Sequence, residues 1–170
     1  MSRRKYILFM IILLASAVAS SYAAVISFQV IQHDDTQKEV RASSYVIENA
    51  LFDYFFDKGF IVTNSPAASS EDEYEDKTIY YRSMAEAKLG RCKWFVVILT
   101  DYQAGISPNP GGIYLSHIKK VDWTVYDAST GAKISSGTKA PEKISDRLDN
   151  EHGISSFMAE VAQDIYRTVQ

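Results

Sequence analysis

The chain has 170 residues, 46% of them hydrophobic, with 18 Lys and Arg against 21 Asp and Glu and a formal net charge of −3. That balance excludes a protein that grips nucleic acid or anionic lipid through its overall field. A single cysteine, Cys92, excludes an internal disulfide, so an apolar core must hold the fold.

The amino terminus has the layout of a secretory signal peptide: Arg3, Arg4 and Lys5, an apolar run over residues 6–19, and small residues around Ala19 and Ala23. The run falls short of the roughly 20 residues that a spanning helix needs, which makes an uncleaved anchor the weaker reading. Cleavage is expected after Ala23, with Ala19 as the alternative. It would remove three positive charges and no acid, leaving one domain over residues 24–170 with a net charge of −6. The mature protein is then expected to be periplasmic or secreted, without a stable membrane anchor.

Residues 24–31 are rich in β-branched side chains and read as a first strand. His33, Asp34 and Asp35 break it. From residue 36 to 58 the apolar spacing becomes helical, with Val40, Ile47, Leu51 and Phe55 on one stripe. Thr36 and Glu39 have the spacing of a capping box, and Gly59 supplies the stop.

A short strand over residues 60–63 is expected to close at Asn64, Ser65 and Pro66. Residues 67–76 are small, polar and acidic and read as an exposed loop. A second helix is expected over residues 78–89, with Gly90 ending it. Residues 94–102 form a strand apolar on both faces, as burial on both sides requires.

Residues 105–112 are a turn-rich loop. A long alternating strand over residues 113–126 should bend or bulge between His117 and Lys120, where polar residues enter both faces. The turn 127–131 leads into an antiparallel hairpin partner over residues 132–138, ended by Pro141. Residues 154–169 carry the clearest helical stripe: Ile154, Phe157, Met158, Val161, Ala162, Ile165 and Val169. The order βαβαβββα predicts an α/β (α+β) domain, a single mixed β-sheet with the helices packed on it.

Candidate chemistry is sparse. His33, Asp34 and Asp35 combine an imidazole with two carboxylates at a strand end, a composition that could bind a metal or perform acid–base work. Three adjacent residues point in different directions, so a polar strand-to-helix turn is the competing reading. His117 reads as a half-exposed strand histidine and His152 as solvated.

No Gly-x-Ser-x-Gly elbow, phosphate-binding glycine motif or calcium-loop spacing is present, and no cofactor is indicated. Glu71, Asp72, Glu73, Glu75 and Asp76 form an acidic run that could meet a protein partner, as could the aromatics Trp123 and Tyr126. Cys92, beside an apolar strand, reads as a small buried side chain.

Three passages together resemble the amino-terminal domain type of TolB, shared in outline by CsgG and LpoB. They are Leu51-Phe52 with Gly59-Phe60-Ile61-Val62; Ala85 and Ala87-Lys88-Leu89 with Lys93-Trp94-Phe95-Val96-Val97; and residues 121–134 ahead of a closing helix. The resemblance implies a small exported α/β domain that works in the bacterial cell envelope by contacting other proteins, without catalysis. CsgG-like and LpoB-like proteins carry a lipid on an amino-terminal cysteine, and this chain has no cysteine near its cleavage site.

The sequence therefore predicts an exported, soluble, non-enzymatic cell-envelope module with a protein partner. The alternative is a small metal-binding protein or metal-dependent enzyme centred on His33, Asp34 and Asp35. Homo-oligomerisation through the hairpin edge at residues 133–138 is a further expectation.

Overall fold

A computed structural model describes residues 23–103, 111–142 and 144–170. The expected leader, apart from Ala23, and most of the loop 105–112 lie outside the described residues. Among the described residues nine elements follow one another: β1 (Val25–His33), α1 (Ala42–Asp57), β2 (Ile61–Ser70), α2 (Glu73–Leu89), β3 (Trp94–Tyr102), a 3₁₀ turn (Leu115–His117), β4 (Ile118–Asp127), β5 (Lys133–Lys139) and α3 (Glu151–Val169).

The strands form one mixed sheet in the order β2-β1-β3-β4-β5. β1 pairs in parallel with β2 and β3, while β3–β4 and β4–β5 are antiparallel. The crossover from β1 to β2 and the one from β2 back past β1 to β3 run in opposite directions. Connections of one hand then place α1 and α2 on opposite faces of the sheet.

The main core forms where α1 and α3 cover one face. Ile26, Phe28 and Val30 of β1 and Val121, Trp123 and Val125 of β4 meet Ile47, Leu51 and Phe55 of α1 and Met158, Val161 and Ile165 of α3 there. On the other face α2 sets Ile79, Met84 and Ala87 against Ile31, Phe95 and Val97, with the buried Cys92 in the same cluster. α2 lies over β1, β2 and β3. Among the described residues, single-helix cover leaves β4 and β5 open on that face.

Several expected boundaries move for identifiable reasons. α1 begins at Ala42 instead of residue 36, because Asp34 Oδ1 accepts from the Thr36 amide at 3.0 Å and its hydroxyl at 2.7 Å. Thr36 is therefore used in a turn, and no capping box with Glu39 forms. Gly59 ends α1 as expected, at φ +82°. At the end of α2 the left-handed residue is Arg91, at φ 53°, while Gly90 stays right-handed.

β2 continues through Pro66 to Ser70, where an exposed loop is expected from the sequence. It is an edge strand, so a residue without an N–H costs no ladder bond on the open side. A register shift between Gln29 and Ile31 of β1 takes up the irregularity, and Gln29 Nε2 donates to the Pro66 carbonyl at 3.0 Å. The acidic run is not a loop either. Asp72 caps α2 by accepting from the Tyr74 and Glu75 amides at 2.8 and 2.9 Å, and Glu73, Glu75 and Asp76 form the first turn.

That placement is electrostatically favourable at a helix amino terminus. The strand expected from residue 113 begins at Ile118, after the 3₁₀ turn. A register shift opposite Asp101 and Tyr102 supplies the bulge expected between His117 and Lys120.

Candidate functional site: a charged ladder at the mouth of a tyrosine-walled cleft

The sheet register brings His33, Asp101 and Lys120 side by side at the carboxyl ends of β1 and β3, where β4 enters. His33 Nδ1 lies 3.0 Å from Asp101 Oδ1, and His33 Nε2 lies 2.9 Å from Asp76 Oδ1 on α2. Lys120 Nζ reaches Asp101 at 3.2 Å and Asp122 at 2.5 Å, and the Thr138 hydroxyl donates to Asp122 at 2.5 Å. Alternating charges thus run from α2 to β4, and the Thr138 hydroxyl of β5 closes the row.

Both ring nitrogens of His33 face carboxylate oxygens. A neutral imidazole carries one N–H and can donate to one of them; the imidazolium donates to both. Burial disfavours that charge, but the bonds and fields of Asp76, and then of Asp101, outweigh it and hold the His33 pKa above its ordinary value. Asp122 is held low because Lys120 and Thr138 outweigh the effect of its burial.

Beside this ladder lies a cleft of about 390 Å³, walled by Tyr80 and Tyr81 of α2 and by Thr124 and Tyr126 of β4, with Val97 and Leu99 as its apolar floor. The Tyr80 and Tyr126 rings sit 5.0 Å apart. Burial raises the pKa of both phenols. They therefore offer neutral hydroxyls and apolar ring faces at neutral pH, a combination suited to molecular contacts.

The expected trio His33, Asp34 and Asp35 does not assemble. His33 joins the ladder; the Asp34 side chain is buried against Arg41, and Asp35 is exposed. Among the described residues no group of three or more His, Cys, Asp or Glu is placed to hold a metal ion. Arg41 is itself buried: its Nε donates to Asp34, its Nη2 to Thr36 Oγ1 at 3.1 Å, and its Nη1 approaches His117 Nδ1 at 3.3 Å. The guanidinium also lies 4.9 Å from the Tyr102 ring centre.

His117 is thus a buried residue of the 3₁₀ turn, which corrects the half-exposed strand position expected for it. Burial and the Arg41 charge keep its pKa below the ordinary value. His152 is exposed in the first turn of α3. Among the described residues no serine hydroxyl or cysteine thiol is bonded to a histidine.

Of the expected contact residues, Glu71 pairs with Lys38 at 2.9 Å and Glu73 with Lys77 at 2.8 Å, while Asp72 is the helix cap and Glu75 accepts from the Glu71 amide. Asp76 alone of that run reaches His33. Tyr126 is half-buried in the cleft wall. Trp123 corrects the expectation of an exposed aromatic: it is 8% exposed, with its ring packed over Gly137 of β5. Asp101, Lys120 and Asp122 were not singled out from the sequence; their signal is a charged residue at the end of an apolar run or alternating into one face.

The structure defines the class: a three-layer α/β domain, one mixed sheet between an α1–α3 pair and a single α2. A family model described as "Uncharacterised protein" matches residues 25–170, and the chain belongs to that family. No curated protein matches it. Among solved structures it is similar to a PelC dodecamer from Paraburkholderia phytofirmans, at 15% identity and TM-score 0.48 over 83% of this chain and 87% of that one. It is also similar to TolB from Acinetobacter baumannii, at 12% and 0.46 over 88% of this chain and 29% of that one. The lipoprotein GNA1162 from Neisseria meningitidis aligns at 8% and 0.41 over 85% and 99%. At these values the likenesses do not say what this chain binds.

Proposed function

We propose that the protein is an exported, non-enzymatic module of the cell envelope that binds another protein in the cleft between α2 and β4. The observation that carries this reading is the half-covered face of the sheet: tyrosine rings and an apolar floor stand open beside β4 and β5, with a fixed row of charges at one end. Aromatic rings supply contact area with little rotamer entropy to lose, and a charge row sets the register of a partner. The leader-like amino terminus supports export. The engagement of His33 by two carboxylates and the burial of His117 beside Arg41 support a binding role over acid–base catalysis.

The test is site-specific photo-crosslinking in cells, with the reactive group placed at Tyr81 or Thr124 in the cleft, or at the exposed Glu160 on α3 as a control. The expected result is one protein adduct shared by the two cleft positions and absent from the control. Equal labelling at all three positions, or none in the cleft, refutes the assignment.

A further inference from the structure

The end of the molecule opposite the charged ladder has a different chemistry. β1, β2 and β3 all begin there, α1 and α2 finish there, and the β4–β5 turn closes over it. Leu89 is 86% exposed at the end of α2, and Phe56 of the last turn of α1, Ile61 at the start of β2 and Ile134 near the start of β5 are exposed at separate points of the same end. The same end carries exposed Lys58, Lys88, Arg91, Lys93 and Lys133, against Asp57 and the Asp127 of the turn.

Helix carboxyl termini favour nearby cations, which accounts for Lys88. It does not account for Lys93 and Lys133, which precede and begin strands, or for the protruding apolar side chains. At the other end carboxylates predominate, around Asp76, Asp101 and Asp122 and the first turn of α2, with Lys38, Lys77 and Lys120 paired among them. A chain whose overall charge is negative is thus polarised, and that polarity orients it in the field of a charged surface.

We infer that this basic, apolar end docks on an anionic lipid surface. The four apolar side chains are suited to entering the interface while the lysine and arginine heads meet lipid phosphates. Ala24, just ahead of β1, lies on the same end, its carbonyl accepting from the Ile61 amide at 3.1 Å. The docked end faces away from the ladder, which leaves the cleft free, and the inference stands independently of the cleft's partner.

The experiment floats the purified protein with vesicles of phosphatidylcholine alone or of phosphatidylcholine and phosphatidylglycerol in equal parts. Binding is expected to the anionic vesicles and to fall steeply with added salt. The double variant Leu89→Ser/Arg91→Glu, at two exposed sites, should weaken it roughly tenfold or more. Tyr74→Ser removes an exposed ring at the acidic end and should leave it unchanged. Absence of binding to anionic vesicles overturns the inference, as does binding that survives the double variant or is lost equally in Tyr74→Ser.

Discussion

His33→Gln tests the charged ladder directly. Glutamine keeps the bulk and one side-chain donor direction but cannot carry the charge that bonds Asp76 at 2.9 Å and Asp101 at 3.0 Å simultaneously. A charge-assisted bond contributes about 1.5–3 kcal/mol when well shielded, and here the His33 side chain is 31% exposed, so about 1 kcal/mol each is the discounted figure. Loss of the pair is expected to cost about 2 kcal/mol near pH 6, or roughly 4–8 °C in Tm for a domain of this size.

Because the folded pKa of His33 is raised, its contribution is fully present below the unfolded value of about 6.5 and fades as pH rises through the folded pKa. The Tm difference between wild type and variant should therefore shrink towards zero with rising pH. The groups that face His33 from the packed elements are Asp76 on α2, Asp101 on β3, and Lys120 and Asp122 on β4. Asp101 keeps Lys120 when His33 is neutral, so the loosening should fall on Asp76 and the first turn of α2. Thermal unfolding of both proteins from about pH 5 to about pH 9, with the His33 ring followed by NMR, reads this out. Parallel Tm curves, or a His33 titration midpoint below about 6.5, would refute the reasoning.

Asp34→Asn replaces the charge-assisted bond from the buried Arg41 guanidinium with a neutral one and is expected to cost about 1.5–3 kcal/mol, measured by urea unfolding. A loss under about 1 kcal/mol would mean the guanidinium is otherwise compensated. Gly137→Ala places a Cβ 2.2 Å from the Trp123 ring, and displacing that ring is expected to cost about 1–3 kcal/mol with a change in tryptophan emission; an unchanged Tm would show that the ring yields freely.

The local pattern determined most of the fold. The stripe of α3, the double-sided apolarity of β3, the alternation of β4 and the turn at Asp127 each follow from the period and chemistry of neighbouring residues, and the predicted element order matches the observed one. Errors fell where a competing local bond or a distant partner overrode the expected preference. Thr36 was drawn away from capping by Asp34, and residues 67–70, polar and small, became strand because β1 offered a free edge to pair with.

The site was legible only in fragments. His33 stood out as a histidine at a strand end, and Asp76 was counted within an acidic run. Their pairing with Asp101 and Lys120 depends on sheet register, which joins residues 68 positions apart in the case of His33 and Asp101. Periodicity fixes which face a side chain takes, and so placed Asp122 and Tyr126 together. It does not fix which strand lies alongside, and only packing the three layers decided that a histidine would stand between two carboxylates beside an open cleft.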